Sequence, residues 1–168
     1  MKTQIQPTTL YRSTVDGSTL SRPLPPHIQP QYYAAIIAAE AIGNSEEMRV
    51  LEISINLARL SGYAFYGKDG SLKKALLINS QAWLAGSTGQ RGSQRVDWDF
   101  RGPSIPKSMS VKRLFVPHAD DTSGLIWGGQ TYETSDGRVS GTLNTTTVPT
   151  ASGLDLEDTE VVLLTFIP

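Results

Sequence analysis

The chain has 168 residues, enough for one ordinary domain with a modest core. Its hydrophobic content of 39% and charged content of 18% are those of a folded domain, and a formal net charge of −1 argues against binding nucleic acid by charge. There is no Cys and there are two His, His27 and His118, so disulfides, thiolate catalysis and Cys- or His-rich metal sites are excluded and no cofactor is expected.

The chain opens MKTQIQPTTLYRSTVDG, where Lys2 has no apolar run behind it. No signal peptide is expected, and as written the chain would stay in the cytosol. Residues 1–30 hold five of the ten prolines, including Pro23, Pro25 and Pro26. Proline fixes φ and removes a donor, so this stretch reads as an irregular arm or linker, or as a disordered tail.

A short helix is expected next, over residues 31–43. Pro30 suits a first helical turn, and Gly43 suits a C-terminal stop. The segment between is rich in Ala and Ile, and its only charge is Glu40. A helix apolar nearly all round needs cover on more than one side. The helix carries Tyr32, Tyr33, Ile36, Ile37 and Ile42 with almost no polar face, and one sheet supplies one side, so an exposed apolar strip is expected, with self-association or a partner at the helix unless residues 1–30 fold over it. The longest apolar run, YYAAIIAA, falls short of the roughly 20 residues of a membrane helix, so no membrane partner is expected.

From Met48 the pattern turns to strands. Arg49–Ile55 alternates Leu51, Ile53 and Ile55 against Val50, Glu52 and Ser54. Gly62–Tyr66 and Lys74–Asn79 flank Lys68-Asp69-Gly70, a hairpin turn. Arg95–Arg101 sets Val96, Trp98 and Phe100 inward against Arg95, Asp97, Asp99 and Arg101. Ser110–Pro117, Gly124–Trp127, Gln130–Thr134, Gly137–Leu143 and Glu160–Ile167 complete the series. Short strands at regular spacing predict a mainly β fold, an antiparallel β-sandwich over residues 48–168 preceded by the helix and the arm.

Candidate chemistry is thin. A retaining glycosidase needs two carboxyl groups about 5–5.5 Å apart. Seven Glu are present: Glu40, Glu46, Glu47, Glu52, Glu133, Glu157 and Glu160. Glu133, after Gly128-Gly129 and Tyr132, is the most interesting, but no pair is marked, and an exposed strand carboxylate is the plainer account. His118, Asp120, Asp121 and Ser123 are near neighbours, but a triad is defined by spatial roles, and a turn explains the Asp pair better. Gly86–Arg91 and Gly128-Gly129 lack the Gly-Lys-Ser/Thr of a phosphate loop. Sugar binding would need exposed rings, for which Trp83 and Trp127 are the candidates, with the core the plainer place for both. Asn144-Thr145-Thr146 is an N-glycosylation sequon, a pattern of low specificity.

Taken in order, several segments resemble one family. They are the Tyr32-Tyr33 helix ending near Gly43, SGYAFY at 61–66, KALLINSQAW at 74–83, VKRLF at 111–115, TSGLIWGG at 122–129, QTYETSDGRVSG at 130–141 and the closing 154–166. Residues 28–168 resemble the C-terminal part of glycoside hydrolase family 79, the β-glucuronidase and heparanase group, and its fungal members most. The resemblance implies a non-catalytic β-sandwich, preceded by the last helix of a (β/α)8 barrel. The barrel carries both catalytic glutamates in that family, so it is the implied partner. No residue of this chain matches a catalytic motif, and none is assigned a catalytic, cofactor-binding or metal-binding role. A free-standing carbohydrate-binding module is the alternative, and a small glycosidase built around Glu133 a third reading. A full-length parent enzyme would be extracellular.

Overall fold

A computed structural model describes residues 11–12, 27–44, 47–101 and 105–168. Most of the Pro-rich arm and Glu46 lie outside the described residues. In chain order the elements are β1 (Tyr11–Arg12), β2 (His27–Ile28), α1 (Pro30–Ile42), β3 (Arg49–Ile53), β4 (Leu60–Tyr66), β5 (Leu72–Asn79) and β6 (Ser93–Val96). Then come β7 (Ser108–Phe115), β8 (Ile126–Trp127), β9 (Gln130–Thr131), β10 (Ser140–Gly141), β11 (Thr146–Pro149), β12 (Leu154–Glu157) and β13 (Glu160–Ile167). The fold is mainly β, with antiparallel sheets and one short helix.

The main sheet runs β10-β9-β8-β7-β13-β5-β4-β3. Its centre is β13, the most apolar strand, paired on both sides: Val162 faces Leu77 on β5 and Arg113 on β7. The β4–β5 hairpin closes at the Asp-Gly turn, where Gly70 N–H donates to Gly67 O and the Asp69 carboxylate accepts from Ser71. On its far side β7 pairs with β8 through Leu114 and Phe115 and with β11 through Ser108 to Val111. Two short strands thus lie in line along one edge of β7, and residues 128–144 leave that edge and return to it. Asn144 N–H to Gly128 O, 2.7 Å, closes the neck of this excursion.

Strand alternation gives the sheet two apolar faces, and each is covered differently. On one face lie Leu60, Ala75, Leu77, Met109, Val111, Val162, Leu164 and Phe166. The two-stranded ribbon β6–β12 covers them with Leu154, Leu156 and Val96. On the other lie Phe65, Leu163, Leu76, Leu114 and Trp127, covered by Tyr33, Ile37 and Ala41 of α1. The layers are therefore helix, large sheet and ribbon.

Residues 95–101 keep the expected register but not the expected strand. Val96, Trp98 and Phe100 turn inward, and Asp97 and Asp99 are exposed. The ladder ends at Val96, and beyond it the inward residues are held by ring packing. Trp98 stacks on Phe100 at 5.9 Å, and both meet Phe166 edge-on. Several strands are also shorter than their sequence suggests, because side chains take over the backbone donors. Glu133 accepts from the N–H groups of Gly124 and Leu125, and the Tyr33 hydroxyl accepts from Tyr132 N–H. The polar Thr146–Pro149 and the short Leu154–Glu157 were not expected as strands from the sequence.

The helix starts at Pro30 and stops at Gly43, whose φ of 69° and ψ of −165° are a backbone conformation that essentially only glycine adopts. Tyr33, Ile37 and Ala41 are buried, and Tyr32 and Ile36 half-buried. The outward side is Ala34, Ala35, Ala38 and Ala39, with Ile42 exposed beyond them. The large residues thus turn mostly to the sheet, and the bare side is mostly alanine. No described helix is long and apolar enough to cross a membrane.

Candidate functional site

The most organised polar cluster of the molecule joins α1 to the sheet. Lys112 of β7 and Trp127 of β8 both point to the helix side. Lys112 Nζ lies 3.0 and 2.9 Å from the two carboxylate oxygens of Glu40, and Trp127 Nε1 donates to Glu40 Oε2 at 2.7 Å. The ammonium also stands 5.1 Å from the Trp127 ring centroid, a cation–π contact. Lys112 is 8% exposed and Trp127 fully buried, so this one carboxylate satisfies two groups that would be costly to leave unpaired. Gly128 makes room for the lysine: with φ 55°, a Cβ there would lie 2.5 Å from Lys112 Cε. On the same helix turn Lys74 Nζ donates to Glu40 O, placing a cation at the helix C-terminus, where the dipole favours it.

One turn and more toward the N-terminus, Tyr33 does the same work with a neutral group. Its hydroxyl donates to Leu125 O at 2.8 Å, accepts from Tyr132 N–H at 2.9 Å and lies 3.1 Å from Thr131 Oγ1. The Tyr132 ring packs edge-on against Tyr32 and Tyr33. Burial, then the Glu40 carboxylate, then Tyr32 and Tyr33 push the Tyr132 phenol above its usual pKa, so it stays neutral. The helix is thus gripped at both ends by the 125–132 segment.

The other sequence candidates are dispersed. Both Glu133 oxygens are taken by backbone N–H groups at 2.7 and 2.9 Å, which ties the loop at Gly124 and Leu125. Glu160 is buried and holds Arg113 Nη1 at 2.7 and 2.8 Å while accepting from Glu157 N–H. Glu157 lies 3.6 Å from Arg91, Glu47 pairs with Lys68 and Glu52 is exposed on β3. His118 Nδ1 stands 3.1 Å from Asp121 Oδ2, which also accepts His118 N–H, and Asp120 accepts from Ala85 N–H. Ser123 is exposed, and among the described residues no hydrogen bond joins it to His118. Trp127 is core, and Trp83 is half-buried. Arg95 meets Asp97 and, across the ribbon, Asp155, as a solvated strand face would. Among the described residues no group of three His, Asp or Glu side chains could hold a metal ion.

An open apolar cleft of about 570 Å³ lies at the other end of the sandwich. Ile53, Leu57, Tyr66, Leu72, Trp98 and Phe100 line it, where the ribbon stops short of β3 and β4. Trp98 Nε1 is buried with no acceptor among the described residues.

Residues 62–163 match the glycosyl hydrolase family 79 C-terminal beta domain, more than half of the chain. The chain belongs to this family. No curated protein matches it. As a C-terminal β domain, the chain by itself is consistent with a non-catalytic role, and its family is defined by a glycosyl hydrolase.

Sequence reasoning noted Glu40 as the helix's lone charge but missed its partners. A signal for them was available. A single carboxylate on an otherwise uncharged helix calls for a cation on the face it packs against, and Lys112 is at a helix-facing position of its strand. The Tyr33 hydroxyl had no such signal, because its partners are backbone groups.

Proposed function

We propose that the chain is the non-catalytic C-terminal β-domain of a β-glucuronidase-like glycoside hydrolase, related to the fungal members. Its work is to pack against a (β/α)8 barrel that carries both carboxylates of a retaining reaction. The observation that carries this reading is the outward side of α1. Ala34, Ala35, Ala38 and Ala39 are exposed and carry neither charge nor bulk. Ridges of small side chains allow a neighbouring layer to approach closely. The carboxylates supply a second support: Glu40, Glu133 and Glu160 each spend their oxygens on holding this domain together.

Two measurements test the reading. Purified chain should turn over an aryl β-glucuronide no faster than buffer. Turnover that Glu133→Gln abolishes would favour the small-glycosidase reading instead. Mixed with a separately expressed family barrel, the chain should co-elute with it, and Ala38→Arg should abolish the complex. Failure of the unmodified chain to bind such a barrel overturns the packing role. The carbohydrate-binding alternative now depends on Trp83, since Trp127 has no exposed face. Sugar binding lost in Trp83→Ala would favour it.

A further inference from the structure

We propose that Asn144 is an acceptor for an N-linked glycan. Asn144-Thr145-Thr146 has the required triplet with no proline in the middle. The fold presents all three residues to solvent. They sit at the neck where the 128–144 excursion returns to the edge of β7. There Asn144 N–H is fixed on Gly128 O, while among the described residues the side-chain amide has no hydrogen-bond partner. Space for the side chain's stem is provided by Gly129, where an added Cβ would lie 2.9 Å from Asn144 Cβ. Thr146 opens β11, whose second edge carries no strand among the described residues. A glycan two residues before that strand would stand over an open edge, the part of a sheet most in need of cover. Leu143, exposed beside Asn144, would share that cover.

The donor is a lipid-pyrophosphate-linked oligosaccharide. Asn144 Nδ2 forms the bond to C1 of the first sugar, and the bond from C1 to the pyrophosphate oxygen breaks. The lipid pyrophosphate leaves with the electron pair, and the amide gives up one proton to a base of the transferring enzyme. The proposal rests on the reading of this domain as part of a secreted enzyme, and the added leader in the test keeps its outcome separate from that reading.

The test is the full 168-residue chain behind a cleavable secretory leader in a eukaryotic host, with a known acceptor as control. Expected is a gel-mobility shift removed by peptide-N-glycosidase, which leaves Asp at position 144. Asn144→Gln and Thr146→Ala should abolish the shift, while Thr146→Ser retains it. These positions are exposed, so the variants should fold. If the chain stays unshifted while the control is modified, or if the shift survives in Asn144→Gln, the proposal fails.

Discussion

The two faces of the main sheet are covered by different means. On the helix side, cover depends on direction: Glu40 must meet Lys112 and Trp127, and the Tyr33 hydroxyl must meet Leu125 and Tyr132. On the ribbon side, cover is chiefly apolar area, with ring against ring at Trp98, Phe100 and Phe166. That area runs out before the sheet does, leaving the cleft and an edge strand with Leu51 59% exposed. A helix apolar all round has no polar side to turn outward; here the size of its side chains favours one facing, and the polar anchors lock it. A strand face needs no such device, because the ladder has already fixed it.

The strongest way to break the helix side is Trp127→Ala. It removes a fully buried ring and also Lys112's cation–π partner, so the expected loss is about 4–5 kcal/mol in a denaturant titration. A loss under about 2 kcal/mol would mean that the helix face collapses onto the gap. Next is Glu40→Ala, which strands the buried Lys112 and should cost about 3 kcal/mol. Glu40→Gln should cost less, since its amide oxygen can still accept from Trp127 Nε1. Combining Glu40→Leu with Lys112→Met should recover the part of the loss that comes from the stranded lysine, while Trp127 Nε1 still lacks its acceptor, and strict additivity in that cycle would refute the coupling.

On the ribbon side, Phe100→Ala removes a ring that is half-buried at the cleft rim. Its cost should fall to about 1–2 kcal/mol, below the range for buried aromatics. A cost equal to that of Trp127→Ala would erase the contrast between the faces. The smallest effect belongs to the hairpin turn. Hydrogen bonds from the Ser71 hydroxyl and N–H, then from Lys73, lower the Asp69 pKa from 3.8 to about 2. A folded-state pKa below the unfolded one gives stability that is present above the unfolded value. It is lost as pH falls from near 4 through about 2. Asp69→Asn should therefore remove a small acid-limb slope in that window and leave the neutral-pH profile parallel. An unchanged slope would mean that the turn contacts do not persist in solution.

Much of the sheet was legible because its signals are local. Alternation marked Val96, Trp98 and Phe100, Asp-Gly marked the β4–β5 turn, and the apolar run marked β13. Alternation also set Leu51 inward, but β3 is the last strand and little lies over it, so pattern without neighbours cannot give burial. The helix was legible as a helix but not in its facing, because apolar residues occur all round it. Size decided where hydropathy could not: the tyrosines and most of the isoleucines lean inward, and the alanines face out. Glu40's role was hidden by distance, its partners lying 72 and 87 residues further on.

That distance has a consequence for the order in which the molecule assembles. The β4–β5 hairpin closes a turn of a few residues, while Tyr33 meets Leu125 across 92 residues of chain. Closing a long loop costs more entropy than closing a short one, and its anchors exist only once β7 and β8 have paired. The helix comes early in the chain but should dock late. Its amides should then gain hydrogen-exchange protection during refolding after those of β4, β5 and β13. A helix that came off a ribosome before any of its sheet would thus wait, undocked, for the chain's later strands to give it a surface.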